Sequence, residues 1–253
     1  WREMGVRMAA VLGLTGFPVG VRLLADNEKY PDEAHVLSQH RYCQALMKAR
    51  RGEHVLLDAD GIACPAAAYA FGFRPLPEGL KSGKGLVGFG IVADEAVGKK
   101  MFEGMSGLKP GQISNLYLFP LSTTLQPPDI VVVEDEVEKL MWIALSSLHA
   151  KGGERVRGTT AVLQATCVDS TIIPYLESRL NIGYGCYGCR DATDIGQNET
   201  VLGFPASMLE DIVAHLEFLG SKAIPNSRSK KAFAMLEKRI SAGPADCAHE
   251  RRK

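Results

Sequence analysis

Residues 130–150, with the sequence IVVVEDEVEKLMWIALSSLHA, join a short apolar run to a longer amphipathic segment. Ile130–Val133 consists of four β-branched residues and favours a buried β-strand. From Glu136 to Ala150 the apolar residues recur at the spacing of one helix face, and Gly152-Gly153 supplies the stop. We therefore expect an α-helix with one face on the core, and that face comprises Val137, Leu140, Met141, Ala144, Leu145 and Leu148.

Outside this segment, further strand-like and helix-like segments alternate along the chain at irregular spacing. Alternating apolar residues or short apolar runs predict strands at Phe17–Leu24, His54–Asp58, Leu116–Leu121, Arg155–Ala165 and Val201–Gly203. Helical spacing and end signals predict helices at 40–51, 65–71, 93–105 and 169–180 and from Pro205 onward. We therefore expect an α/β or α+β fold, a mixed sheet with helices packed on it. Expected core residues are Leu140, Leu145, Ile212 and Val213.

Two less regular regions bear on the domain organisation. Residues 74–90 are rich in glycine and proline and predict a loop, which is where a boundary between two lobes could lie. Residues 241–253 are polar and predict a frayed tail. We expect one α/β domain over residues 1–240, with a two-lobe arrangement left open.

The overall composition argues against two classes of partner. Charged residues make up 23% of the 253 residues, and the formal net charge is +0. A general nucleic-acid-binding protein carries a basic excess, so we expect no nucleic-acid partner. Since no apolar run approaches the roughly 20 residues that cross a bilayer, we expect no membrane partner. The composition leaves a homo-oligomer open.

The six cysteines are too few for a disulfide-rich secreted scaffold. Cys186 and Cys189 form a C-x-x-C pattern within residues 183–190, GYGCYGCR. In an intracellular protein this pattern points to metal or redox chemistry. The flanking glycines let the backbone fold tightly and turn N–H groups toward thiolates, which tunes cluster-bound and metal-bound sulfur.

Three further cysteines lie where predicted helices begin, and these are Cys43, Cys64 and Cys167. At such positions the helix dipole favours a thiolate. Five thiols suffice for a four-cysteine cluster with one to spare, so we expect Cys64, Cys186 and Cys189 to converge with Cys43 or Cys167. A four-thiol zinc site usually shows two C-x-x-C pairs, and only one exists here. An iron–sulfur cluster is therefore the favoured cofactor, and zinc is less favoured.

Two arginines adjoin these cysteines and are candidate cofactor-binding residues. Arg41 lies two residues before one candidate cysteine, and Arg190 immediately follows another. A fixed positive charge would stabilise a thiolate-bound cluster or a small anionic ligand. The alternative for Arg190 is a structural salt bridge to Asp191 or Asp194.

These observations leave three functions open. The first is a cysteine-ligated iron–sulfur or other metal protein that transfers electrons to an unidentified redox partner or binds a small anionic ligand. The second is a thiol or dithiol redox enzyme that uses the C-x-x-C pair. The third is a non-catalytic small-molecule-binding protein whose cysteines are buried core residues.

Several blocks of the sequence form a recognisable set, and these are RYCQA at 41–45, ARRGE at 49–53, IACP at 62–65, PDIVVV at 128–133, GCYGCR at 185–190 and GFP at 203–205. Together they resemble a family known as domain of unknown function 169, over about residues 5–220. The resemblance implies a bacterial or archaeal cytoplasmic protein and implies no activity. Within the blocks lie Cys43, Cys64, Cys186 and Cys189, whereas Cys247 lies outside them. Ala66 stands where the family pattern leads us to expect glycine.

Overall fold

The computed structural model describes residues 1–123 and 126–242, and a seven-stranded sheet runs through this part of the chain. The strand order is β2-β3-β4-β1-β5-β7-β6. All neighbours are antiparallel except β2 and β3, which are parallel. The strands are β1 (Val19–Leu24), β2 (His35–Val36), β3 (Val55–Asp58), β4 (Asn115–Pro120), β5 (Ile130–Glu136), β6 (Asn181–Gly183) and β7 (Glu199–Pro205).

Helices cover both faces of this sheet, and a π-helix spans Ala165–Ile172. A 3₁₀ turn, Ala206–Met208, leads from β7 into the tenth α-helix. The α-helices are α1 (Arg2–Leu12), α2 (Tyr42–Arg50), α3 (Pro65–Ala70), α4 (Glu78–Lys81), α5 (Lys84–Gly88), α6 (Glu95–Glu103), α7 (Val137–Ala150), α8 (Ile173–Glu177), α9 (Tyr187–Ala192), α10 (Leu209–Ser221), α11 (Ala223–Arg228) and α12 (Lys231–Ala242).

Strand β5 shows how the two helix layers form one core on each side of the sheet. Its Ile130 and Val132 face a cluster built with α2, α3, the π-helix and α8. Its Val131 and Val133 face a second cluster built with α1, α7 and α10. Because side chains alternate along a strand, an unbroken apolar run is what burial on both faces requires. The expected α/β fold with a mixed sheet is confirmed.

The expected buried face of α7 is wrong. Leu140 is buried, but Leu145 is 40% exposed, and Val137 and Met141 are also exposed. The helix presents Ile143 and two serines to the core instead. The hydroxyl groups of Ser146 and Ser147 donate to the carbonyls of Trp142 and Ala144, at 2.8 and 2.7 Å, so these polar side chains are satisfied inside. Ile212 and Val213 are buried as expected.

The expected strand at Arg155–Ala165 is also wrong. Its backbone is irregular up to Gln164, and the π-helix begins at Ala165. Side chains, rather than a neighbouring strand, provide hydrogen-bond partners for the backbone of this segment. The Thr159 N–H donates to the Asn181 Oδ1 at 2.8 Å, and Arg179 donates to the Arg157 carbonyl at 2.6 Å. This segment therefore packs by specific polar contacts rather than by a strand ladder.

The expected loop at residues 74–90 contains two short helices, α4 and α5, which form a small cap together with α6, the helix expected at 93–105. Helices α4, α5 and α6 pack on one another, and Gly83, at φ 83°, separates α4 from α5. A β-carbon at Gly83 would lie 2.1 Å from the Glu95 carbonyl oxygen, so only glycine permits this contact. The cap covers one side of the site described below, and the two-lobe arrangement is not confirmed. Of the predicted tail, residues 243–253, including Cys247, lie outside the described residues.

In the part of the chain that the structure describes, no helix has the length and apolar character needed to cross a membrane.

Candidate functional site

Five cysteines from four separate parts of the chain line one cavity of about 500 Å³. Each lies at or near the first turn of a helix, where a side chain projects past the helix end. Cys43 is the second residue of α2, Cys64 directly precedes α3, Cys167 is the third residue of the π-helix, Cys186 directly precedes α9 and Cys189 is the third residue of α9. The structure thus brings together all five cysteines that the sequence singled out. Their assignment as metal ligands stays a prediction.

The C-x-x-C pair forms the centre of this group. The Sγ atoms of Cys186 and Cys189 lie 3.1 Å apart, and the backbone N–H of Cys189 donates to the Cys186 Sγ at 3.4 Å. Thr166 of the π-helix places its Oγ1 3.0 Å from the Cys189 Sγ. Cys43 packs with Cys189 in one buried cluster. The first turns of α2, α9 and the π-helix therefore meet at these sulfur atoms.

The remaining two thiols, Cys64 and Cys167, belong to apolar clusters that Cys186 also contacts. Cys64 and Cys186 both pack against the buried residues of the cap. Cys167 is buried, and its thiol donates to the Gln164 carbonyl at 3.6 Å. Cys167 thus has a backbone partner of its own.

The environment keeps several of these thiols protonated. A hydrogen bond from Cys186 lowers the pKa of Cys189, but contact with Cys43 and burial outweigh it and raise that pKa to about 11. The hydrogen bond with Cys189, together with burial, raises the pKa of Cys186 far above its ordinary value. Burial and the neighbouring thiols also raise the pKa of Cys167. A cation bound among these sulfur atoms would reverse this effect, because it favours the thiolate form.

Two polar networks hold these helix starts in place. Arg50 of α2 donates to Glu134 of β5 and to Glu199 of β7, both at 2.8 Å, which fixes the helix that carries Cys43 against the sheet. Arg190 donates to the carbonyls of Tyr184, Gly196 and Glu199 at 2.7–3.2 Å, which holds the glycine-rich turn before α9. The guanidinium of Arg190 is therefore bound to backbone oxygens, and Arg190 is not among the described residues that line the cavity.

The other predicted arginine does line the cavity. The Nη1 of Arg41 donates to the Gly188 carbonyl at 3.0 Å and lies 3.3 Å from the Asp191 Oδ2. Asp194 instead pairs with Arg51 at 2.7 Å. Arg41 thus bridges the start of α2 to α9 at the edge of the cavity.

The sequence interpretation missed the apolar wall of this cavity. Leu80, Leu86 and Phe102 of the cap and Leu163 line it together with Phe89 and Tyr187. Phe102, Leu86 and Leu163 are buried and contact Cys64 and Cys186 through a shared cluster. The available signal was the recurrence of leucine and phenylalanine among the glycines of residues 80–102.

The wide turns of the π-helix carry two of the lining residues. The hydroxyls of Ser170 and Thr171 donate to carbonyls five residues earlier, at 3.0 and 2.9 Å, which stabilises the π geometry. A β-carbon at Gly203 would lie 1.8 Å from the Ser170 carbonyl oxygen, so the glycine lets the π-helix sit directly on β7. π-Helical geometry is rare in proteins and is frequently found at functional sites.

The sulfur atoms are not spaced as the ligands of a bound metal ion would be. Among residues 1–123 and 126–242, no three His, Cys, Asp or Glu side chains are placed to hold a metal ion as they stand. Two thiolates on one tetrahedral metal lie about 3.8 Å apart when the metal–sulfur bonds are about 2.3 Å. The Cys186–Cys189 separation of 3.1 Å is shorter, so ligation requires these side chains to open. The donor chemistry suits a soft metal or an iron–sulfur cluster.

Fold and site together define an α/β protein with a capped, thiol-lined cavity between helix starts. The chain belongs to the DUF169 family, described as "Uncharacterised ArCR", whose sequence model matches residues 7–215. This match confirms the resemblance seen in the sequence blocks. No curated protein and no solved structure matches the chain.

Proposed function

We propose that the thiol-lined cavity holds a cysteine-ligated metal centre, an iron–sulfur cluster, and that the protein acts in electron transfer or in binding a small ligand beside that centre. The observation that carries this proposal is the meeting of five cysteines from four chain segments in one cavity. Cysteines that served only as small core residues would need no common location.

The contacts favour four of the five thiols as ligands. Cys43, Cys186 and Cys189 pack together, and Cys64 packs against the cap beside Cys186. Cys167 already donates to a backbone carbonyl and is the spare thiol. The N–H of Cys189 directed at the Cys186 sulfur is the kind of donor that tunes a thiolate ligand.

A second candidate function is dithiol–disulfide exchange by the C-x-x-C pair. The 3.1 Å sulfur separation favours it, because closing to a bond of about 2.05 Å needs only a small movement. In that reaction the two thiols form one disulfide and release two protons, while two electrons pass to an oxidant such as a low-molecular-weight disulfide. The raised pKa values of Cys186 and Cys189 count against it, since exchange proceeds through a thiolate.

Anaerobic purification, followed by iron, sulfide and zinc analysis and a visible absorption spectrum, tests the two functions. We expect stoichiometric iron and sulfide with broad visible absorption, and loss of both in Cys43→Ser, Cys64→Ser, Cys186→Ser and Cys189→Ser. Cys167→Ser is the matched control within the cavity and should retain the iron.

The other outcomes each contradict part of the proposal. Zinc without iron would support a metal centre and contradict the iron–sulfur cluster. A metal-free protein that forms a reversible Cys186–Cys189 disulfide would replace the metal centre with the dithiol function. A metal-free protein with inert thiols would overturn both candidates.

A further inference from the structure

The cavity continues past the thiols into an apolar chamber beneath the cap. Leu86, Phe102 and Leu163 are buried there and contact Cys64 and Cys186. A volume of about 500 Å³ lies within the usual range of small-molecule sites. Ligation of a metal by the sulfur atoms uses only the thiol side of this space. The apolar side is therefore available to a second, organic molecule.

The charges around the cavity cancel. Among the described lining residues, the charged side chains are Arg41 and Asp191, and they lie 3.3 Å from each other. Arg190, which would have added a positive charge, is bound to carbonyl oxygens instead. An ionic ligand would have to break the Arg41–Asp191 pair. Its charged group would also lose its hydrating water on contact with leucine and phenylalanine side chains, which costs free energy. The lining therefore favours a neutral ligand.

Two exposed aromatic rings stand at the edge of this chamber. Phe89 directly follows α5 of the cap, and Tyr187 is the first residue of α9. Their side chains are 62% and 55% exposed, and their ring centroids are 6.4 Å apart with an interplanar angle of 35°. A planar ring placed between two others needs about 7 Å, because stacked carbon atoms approach to about 3.5 Å. Stacking on both faces of a ligand ring would require these two exposed side chains to move apart by under about 1 Å and to turn parallel to each other.

We propose that the cavity binds a neutral, mainly apolar small molecule that carries a planar ring, with the ring between Phe89 and Tyr187 and the rest of the molecule against Leu86 and Phe102. This inference rests on the proposed function in that the ligand shares the thiol-lined cavity and lies beside the proposed metal centre.

Binding of N-phenyl-1-naphthylamine, a neutral molecule with two planar ring systems, tests the inference. Equilibrium dialysis against the protein as purified measures bound probe without interference from a coloured centre. We expect one saturable site. Phe89→Ser and Tyr187→Ser should each weaken binding by roughly 2- to 12-fold, the value of one aromatic contact. Both side chains are exposed, so the folded structure should tolerate these changes.

A matched control addresses the second large apolar groove of the protein. That groove is lined by residues of α7 and α10, among them Leu145, His215 and Phe218. Phe218 is 67% exposed, so Phe218→Ser removes an aromatic ring whose exposure is similar to that of Phe89 and Tyr187 but which lies in the groove and not at the cavity. Probe affinity should not change in this variant. Loss of affinity in Phe218→Ser, with none in the two variants at the cavity edge, would place the probe in the groove and overturn the inference.

The charge preference has its own matched pair of probes. Anilinonaphthalene sulfonate has the same ring systems plus a sulfonate, and we expect it to bind more weakly than the neutral probe. Tighter binding of the sulfonate, with the same dependence on Phe89 and Tyr187, would show that the cavity prefers an anionic ligand and would refute the proposed neutral one.

Metal content measured on the same samples separates the proposed ligand from the proposed metal centre. Metal without probe binding refutes this inference alone, whereas probe binding without metal refutes the proposed function alone.

Discussion

Replacing Asp169 by asparagine should change how the stability of the protein depends on pH. Asp169 lies in the π-helix that carries Cys167 and is 2% exposed. Its Oδ2 accepts a hydrogen bond from the Thr160 hydroxyl at 2.5 Å. Burial raises the pKa of Asp169 to about 7, and the Thr160 hydrogen bond opposes only part of that rise. The folded protein therefore holds a proton on this carboxyl group that the unfolded chain releases near pH 4.

The direction of the effect follows from proton binding. Because the pKa is raised in the folded state, Asp169 contributes its full stability below about pH 4, and this is lost as pH rises to and through about 7. A shift from 3.8 to about 7 corresponds to a total of roughly 4 kcal/mol, of which roughly 2–3 kcal/mol falls between about pH 5 and pH 8. The amide of an asparagine side chain does not titrate, so Asp169→Asn should remove this component.

Urea unfolding of the wild type and of Asp169→Asn, at several pH values between about 5 and 8, measures the difference. The variant should gain stability relative to the wild type as pH rises, by about 2–3 kcal/mol over the range, while other titrating groups cancel in the comparison. Thr160→Val is the control of opposite sign, since loss of the hydroxyl donor should cost more at high pH than at low pH. Parallel stability curves for the wild type and Asp169→Asn would show that the pKa of Asp169 is not raised in the folded protein.

Three further tests of the packing compare the free energy of unfolding of substituted proteins. Ile143→Ala should cost about 2–5 kcal/mol and Leu145→Ala less than about 1 kcal/mol, because only Ile143 is buried; equal losses would contradict the orientation of α7. Gly203→Ala should cost at least about 1–3 kcal/mol, since its new carbon meets the backbone of the π-helix, whereas Gly158→Ala, with open space around it, should be neutral within about 0.5 kcal/mol. Arg50→Met should cost about 3–5 kcal/mol by leaving two glutamates without their cation, and a loss below about 1 kcal/mol would show that these ion pairs do not hold α2.

The sequence predicted the sheet better than the helix faces. Ile130–Val133 could be recognised as a buried strand because four consecutive β-branched residues suit burial on both faces. The face of α7 could not be recognised, since the helix carries apolar residues on two sides. The buried side includes Ser146, whose hydroxyl is satisfied by the helix backbone. A count of apolar positions cannot detect that compensation.

Two of the three cap helices, α4 and α5, escaped prediction because they are short, whereas α6 was expected as the helix at 93–105. Helices α4 and α5 contain four and five residues, little more than one turn, so no periodic pattern can be read from either. Their glycines and Pro77 indicated a loop, and the contacts that stabilise them come from α6 and from Leu163, which is distant in sequence.

The number of cysteines, the C-x-x-C spacing and the placement of thiols at helix starts are local properties, which each segment of the sequence encodes alone. The three-dimensional packing brings five thiols together in one cavity and closes a cap over them. It also decided that Arg190 holds a backbone turn while Arg41 reaches the cavity edge. These outcomes depend on contacts between residues as far apart in sequence as Cys43 and Cys189. Such contacts are fixed by the packing of α2, α9 and the π-helix on one sheet, and no local pattern records that packing.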